Sequence, residues 1–528
     1  MKYILKKFSK NKFKDKFIDK FRDKYFIFFF CFFLSFVILF FTSKNSPLYP
    51  FNNWVDENAF YTVGISWRHG ILPYRDLFEQ KGPFLYFVFM LSSFVMPYSF
   101  FPIFLLEVVC YTWFLYLSGK VINLFLEKQY LYFILPLLAS LIAGSIFFSG
   151  GGSAEEFCLP IITKMFYDLL LYFTSGEIRK RDIVIDGFLA GVMAMVKFTF
   201  LGFPFAFMMC LFFDFLFSKK YFQSFFLCFL FLLGMSVPIL FFFLYFYFHQ
   251  GLQEFVRTYF LFNIFGYTKK VPFLLKMKMI FLTFYQKLTT NIIVFHLLDL
   301  GMIYFLIHVP LPKKGKISLI LFFILGTLGI YYGAKNFYYY FLIIMPFCLV
   351  GFISLFFALR KKVNFKEKKV RIYTSLLVIS LSMVFTFTSP NLEYAKNKKE
   401  DLVQYKFAKI IQEGGGKTLL NYGFLDGGFY FASRILPNTK YFERQNAPVP
   451  GMKECLDREI KEQKYDYIVL RRGIHTRKIN PNILNHYELV SSKKVQEREF
   501  SYTYLLYHKS TYPEKIDRKE KVKWTMID

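Results

Sequence analysis

Negative charge is scarce in this chain: 37 Asp and Glu stand against 66 Lys and Arg over 528 residues, a formal net charge of +29. Such an excess can serve nucleic acid, anionic lipid or orientation in a membrane. The Lys and Arg clusters fall between hydrophobic runs rather than on one soluble face, so the positive-inside rule accounts for them and nucleic-acid binding is set aside. Cysteine forms no framework. Six of the seven (Cys31, Cys110, Cys158, Cys210, Cys228 and Cys348) lie in or beside apolar runs and Cys455 stands alone in the polar tail, which leaves neither a disulfide scaffold nor a zinc spacing. His69, His296 and His308 show no metal-ligand spacing, and no repeat of fixed period is visible. A phosphate-binding loop is also missing. GGGKT at 414–418 ends like one, but the pattern requires Gly where Ile411 stands.

What is present is apolar: 55% of residues are hydrophobic and 23% aromatic, with a mean hydropathy of +0.36. These values mark an α-helical polytopic membrane protein. Residues 1–25 are crowded with Lys and read as a cytosolic basic N-terminus, followed by an apolar run to Phe41 without a small-residue cleavage site. The loop after it then starts outside. The run from Pro83 to Pro97 is too short to cross a bilayer and reads as an interfacial helix. Further spans are expected near 101–119, 130–148, 157–173, 183–198, 200–217, 222–248, 291–309, 316–332, 337–358 and 371–388. With the first, that makes about 11. This count places the basic segments SGEIRKRD (175–182), PLPKKGK (310–316) and RKKVNFKEKKVR (360–371) in the cytosol, as the rule requires. Residues 273–290, with Lys276, Lys278 and Lys287, read as a second interfacial helix.

The domain reading follows. Residues 26–390 form the transmembrane domain, with an outer loop at 43–97, and residues 391–528 form a small extracytoplasmic α/β domain. KTLLNYG (417–423) and YDYIVLRRG (465–473) are expected buried strands, 451–464 a helix between them, and 511–528 a frayed end.

The polar groups gather on the outer side. Asp56 and Glu57 open the first loop, Asp76 and Glu79 follow, and Lys81 precedes a Gly-Pro turn. Separated carboxylates plus a cation at a membrane interface suit transfer from a lipid phosphate to an acceptor hydroxyl. The same residues also suit a solvated loop, with Asp56 as a helix N-cap and Asp76 as a turn residue. Glu155 and Glu156 follow three glycines at the end of a span, which fits a liganded cavity lip or a wet turn. Lys335, ahead of Tyr338, fits a phosphate contact with aromatic backing or ordinary interfacial anchoring.

The loop NWVDENAFYTVGISWRHGILPYRDLFEQKGPFLY (53–86) resembles the first outer loop of the GT-C membrane glycosyltransferases, the superfamily that includes the lipid A aminoarabinose transferase and the protein O-mannosyltransferases. The resemblance spans roughly residues 25–390, is strongest at 53–86 and extends loosely to 150–157. It implies a GT-C-like fold, a polyprenyl-phosphate-linked sugar donor, a glycan or lipid acceptor, and an outer-face cavity in a bacterial plasma (inner) membrane. Asp56 matches the family's acidic residue, and Glu79 with Lys81 its charged site before the interfacial helix. Glu155 and Glu156 stand where many members carry Asp.

The expected activity is therefore inverting glycosyl transfer. Asp56, or its neighbour Glu57, would act as base, and Lys81, Lys335 or Arg257 would meet the donor phosphate. The sequence names no certain cofactor and leaves room for a divalent metal near Glu79. A polymerase or ligase of lipid-linked glycans is the near alternative. A polysaccharide or lipid transporter is the distant one, though the charges sit at one mouth and no paired halves are seen.

Overall fold

The computed structural model describes residues 25–267, 271–473, 479–497 and 500–510. The basic segment 1–24 and the charged stretch 511–528 lie outside the described residues.

The first apolar helix, α1, is Tyr25–Thr42. It is followed by α2 (Val55–Arg68), α3 (Pro83–Val95), α4 (Phe101–Ile122), α5 (Leu131–Ala143) and α6 (Ala154–Ser175). Among the described residues, eight helices are long and apolar enough to cross a membrane: α1, α4, α6, Phe198–Phe217, Tyr221–Phe248, Lys313–Tyr331, Tyr338–Leu359 and Lys368–Phe387. A ninth is counted if Phe273–Leu288 and Ile292–His308, bent by 118° at their junction, make one span. The sequence expectation of about 11 is therefore not met by length alone. The expected spans at 130–148 and 183–198 are helical but short. Pro136 lies inside α5, which ends at Ala143. Lys180–Val196 has 17 residues, about 26 Å at 1.5 Å per residue, and its first turn carries Lys180, Arg181 and Asp182.

Packing between spans uses small residues. A Cβ on Gly187 would fall 2.0 Å from the carbonyl oxygen of Phe231, and one on Gly234 would fall 2.2 Å from that of Val184. Bare backbone thus lets Lys180–Val196 and Tyr221–Phe248 touch, which matters in lipid, where apolar side chains gain nothing by leaving their solvent. The outer face of Tyr221–Phe248 is left apolar and exposed, through Phe222, Phe225 and Phe229.

α3 has 13 residues, about 20 Å, and falls short of the hydrocarbon thickness. It packs on α2 through Phe60 and Phe89, whose rings are 5.7 Å apart, and Arg68 donates to the carbonyl of Ser93.

The C-terminal unit is a four-stranded sheet in the order β1-β2-β4-β3. Strands β1 (Leu419–Tyr422) and β2 (Tyr467–Arg472) pair in parallel, with Leu420 opposite Ile468. β3 (Tyr487–Glu497) and β4 (Phe500–Lys509) form an antiparallel hairpin whose β4 edge joins β2. The helix expected at 451–464 is Met452–Lys461. The segment between β1 and β2 is fastened to the helical part of the chain. The backbone N–H of Phe78 donates to the carbonyl of Lys440 at 2.8 Å, and the rings of Phe100 and Phe431 stack at 4.4 Å.

Candidate active site

α2 starts at Val55, so Asp56 and Glu57 share its first turn. Successive residues on a helix diverge by about 100°, and the two carboxylates accordingly go to different places. Asp56 Oδ2 lies 3.3 Å from Lys81 Nζ, with both side chains largely buried. Asp56 is not the N-cap: that position is Trp54, which makes no side-chain cap bond.

The loop between α2 and α3 presents Lys81 through its own polar groups. Asp76 accepts from the backbone N–H of Leu72 at 2.7 Å and from the Arg75 guanidinium, and so closes the turn. Glu79 is buried and accepts from the Tyr86 hydroxyl and, at 2.9 Å, from the backbone N–H of Lys81. Burial raises the Glu79 carboxyl above the usual carboxylate range. For Lys81 burial acts against the charge, but Asp56 and Glu79 outweigh it and push its pKa up, so it is held as an ammonium.

Lys81 faces a cavity of about 100 Å³ whose walls also carry Gln80, Lys197, Asn263, Tyr267, Lys335 and Tyr340. One wall is a π-helix, Val256–Tyr267, a rare wide winding that is frequent at functional sites. Its Asn263 donates to the carbonyl of Gln80 at 2.7 Å and so ties that wall to the loop. Lys197 Nζ is 2.6 Å from Glu155 and 3.5 Å from the centre of the Tyr340 ring. Lys335 Nζ sits 3.9 Å from the centre of the Tyr267 ring. Three lysine side chains thus line one small space, backed by aromatic faces.

Four sequence candidates, Arg257, Tyr338, Glu156 and Glu57, lie elsewhere. Arg257 is exposed on the π-helix and is not part of this lining. Tyr338 is 42% exposed and lies under Lys287, whose Nζ is 3.4 Å from its ring centre. Glu156, adjacent to Glu155, turns the opposite way into a buried knot with Glu57 and Glu107. There the backbone N–H of Gly152 donates to Glu107 at 2.6 Å and to Glu156 at 3.0 Å. Asn52 donates to Glu57 at 2.7 Å, and Ser43 to Glu107 at 2.7 Å. Gly152 has φ +69°, and a Cβ there would meet Glu57 Oε1 at 2.4 Å, so the glycine run is required by close approach of the backbone to carboxylates. Burial, then the neighbouring Glu107, pushes the Glu57 carboxyl well up.

Sequence reasoning missed Glu107, Asp426 and Glu443. Glu107 had a signal: it is the one acidic residue of a 22-residue apolar helix, and such residues are costly unless they have a role. The other two come from the C-terminal domain. Thr62 of α2 donates to Asp426 at 2.6 Å, the backbone N–H of Asp426 donates to Glu443, and Gln445 donates to the carbonyl of Phe78 and to Glu443, each at 3.2 Å. Burial pushes Asp426 up to about 6, against its bonds from Thr62 and Gly428. Burial, then Glu79 and Asp426, pushes Glu443 well above the usual range.

Among the described residues, no group of three or more His, Cys, Asp or Glu is arranged to hold a metal ion. Glu79, beside which the sequence left room for one, is engaged by Tyr86 and the Lys81 backbone.

The fold is similar to that of ArnT from Cupriavidus metallidurans, a GT-C membrane fold. The structure of that protein bound to undecaprenyl phosphate aligns with a TM-score of 0.56 at 10% identity, over 93% of this chain and 99% of the other. Its apo structure gives a TM-score of 0.57 at 9% identity, over 92% and 97%. No family profile matches the sequence, and no curated protein does.

Proposed function

We propose that the chain is an inverting glycosyltransferase that moves a sugar from a polyprenyl-phosphate donor to a hydroxyl of a cell-envelope glycan or lipid, on the extracytoplasmic face of a bacterial plasma membrane. The observation that carries the reading is the Asp56–Lys81 pair beside a cavity that also holds Lys197 and Lys335. The fold shared with a protein solved with undecaprenyl phosphate supports it.

The chemistry needs two things at once: a base for the acceptor and positive charge for the leaving group. Asp56 takes the proton of the acceptor hydroxyl, whose oxygen bonds to the anomeric carbon from the face opposite the phosphate. The bond between that carbon and the phosphate oxygen breaks, and the electron pair leaves with polyprenyl phosphate. Lys81, Lys197 and Lys335 face the added charge, and a preorganised cation stabilises it more strongly than solvent does. The prenyl chain lies against the apolar helices, and only the sugar reaches Asp56. Leaving-group stabilisation is assigned to the lysines, and no step is routed through a metal.

The test is transfer from a polyprenyl-phosphate sugar by the purified protein in lipid vesicles. Asp56→Asn keeps shape but takes no proton, and transfer is expected to fall by about a hundred- to ten-thousandfold. Glu57→Gln, in the knot rather than at the cavity, is expected to retain transfer. A folded Asp56→Asn protein that transfers at the parent rate refutes the assignment. Product length separates a transferase, which adds one sugar, from a polymerase or ligase, which joins a block.

A further inference from the structure

The C-terminal domain has a cleft of its own. It measures about 710 Å³ and opens where the parallel strands β1 and β2 end, the place where open α/β sheets receive ligands. That volume lies within the range of small-molecule sites. Arg444, Lys453 and Arg471 line it, and no Asp or Glu does among the described residues. Three positive charges without a counter-charge in one concave space favour an anion. Arg471 is preset for it: its guanidinium carbon stands 5.2 Å from the Phe424 ring centre and 4.7 Å from that of Tyr502, so the fork is ordered before any ligand arrives. The Tyr422 ring adds an aromatic surface at the strand end, and its hydroxyl is held by a 2.7 Å bond from Asn480.

The cleft is not remote from the chemistry. Arg444 and Gln445 both line it. Gln445 is the residue that donates to Phe78 in the loop bearing Lys81, and to Glu443 beside it. Backbone bonds reinforce the connection, Arg444 N–H to the Phe424 carbonyl at 3.0 Å and Phe78 N–H to the Lys440 carbonyl at 2.8 Å. A ligand seated against Arg444 is therefore one residue from Gln445, which makes one of the hydrogen bonds that join the two domains.

We propose that this cleft binds an anionic saccharide and presents it to the membrane-embedded site, so that the acceptor is an acidic sugar chain or headgroup. Calling the ligand an acceptor rests on the transferase reading; the anion site itself does not. Flat aromatic and forked guanidinium groups together suit a sugar that carries carboxylate or phosphate. The Lys cavity of the membrane domain takes the donor phosphate, and the two anions occupy separate clefts on either side of the Phe78–Gln445 contact.

Binding is measured on the full chain in lipid nanodiscs with three probes: trigalacturonate, glucose 6-phosphate and neutral maltotriose. At least one acidic probe is expected to bind and maltotriose to stay silent, with affinity falling as salt rises. Arg471→Gln and, on the exposed loop where folding is not at risk, Arg444→Gln are each expected to weaken acidic-probe binding by about tenfold or more. Equal binding of maltotriose, silence of all three probes, or unchanged affinity in Arg444→Gln and Arg471→Gln overturns the proposal. Asp56→Asn is the control that keeps the two readings apart. It is expected to bind the acidic probe normally, so loss of transfer with intact probe binding touches only the transferase chemistry, and intact transfer with silent probes touches only the cleft.

Discussion

At the scale of single residues, Lys81 is the point where the site's charges converge. It pairs with Asp56 and is hydrogen-bonded through its backbone to Glu79. Lys81→Met keeps the apolar stem and removes the charge, so donor affinity is expected to fall by about ten- to a hundredfold, the worth of one charge-assisted bond to phosphate. Titration with a fluorescent polyprenyl phosphate measures it, and unchanged affinity would make this lysine a structural partner of Asp56 alone. Gly152 carries a different demand. Gly152→Ala puts a methyl group into the Glu57 carboxylate on a backbone at φ +69°, and destabilisation of more than about 1 kcal/mol is expected. A lowered thermal midpoint in detergent reports it; an unchanged one would mean that the knot yields.

At the scale of elements, the docked segment between β1 and β2 is expected to respond to pH. Asp426 is pushed up to about 6 and Glu443 well above its usual range, so the docked state holds protons that the released state gives up. The stability these groups supply is full below the ordinary carboxylate range and is lost as pH rises through about 6 and beyond. The protein is expected to melt higher at pH 5 than the same change of buffer produces in Asp426→Asn, in which that dependence should shrink. Identical pH profiles for the two proteins would remove Asp426 from the linkage.

Legibility also differs by element. Asp56 and Lys81 are 25 residues apart in a segment dense with charge among apolar runs; the sequence offered them together with Glu57, Lys335 and Arg257, and the fold brings this pair to 3.3 Å. β1 and β2 show as short apolar runs closed by glycine. The hairpin β3–β4 did not show, because its outer strand carries Ser, Lys and Gln at exposed positions with little alternation. Among the described residues, fewer helices than the expected count of about 11 reach spanning length, because proline and first-turn charges shorten helices that hydropathy treats as continuous. Glu107 was legible in principle, as an isolated carboxylate in an apolar helix. Asp426 and Glu443 were not, since a loop residue's burial depends on a partner hundreds of positions away.

At the scale of the whole molecule, the reading requires one orientation. Cysteines introduced at His69 and Lys409, both exposed, are expected to react with an impermeant thiol reagent added outside intact cells. One at Lys314, whose side chain is 63% exposed, is expected to react only after permeabilisation. Labelling of the Lys314 position from outside would invert the topology and put the cavity on the wrong side for a flipped lipid donor.

The bond from Thr62 to Asp426 joins residues 364 positions apart, and that separation has a consequence in time. A ribosome adding about 5–20 residues per second needs roughly 20–70 s to pass from one partner to the other. Throughout that interval α2 and the loop bearing Lys81 are already made while the segment that covers them is not. The nascent chain thus passes through a stage in which Thr62 and the Phe78 carbonyl have no protein partner from the C-terminal domain. Synthesis of residues 426–445, well after the early helices have entered the membrane, becomes the event that closes the contact between the two parts of the chain, and chains cut short before residue 426 are expected to reach the membrane without it and to be cut more readily by protease.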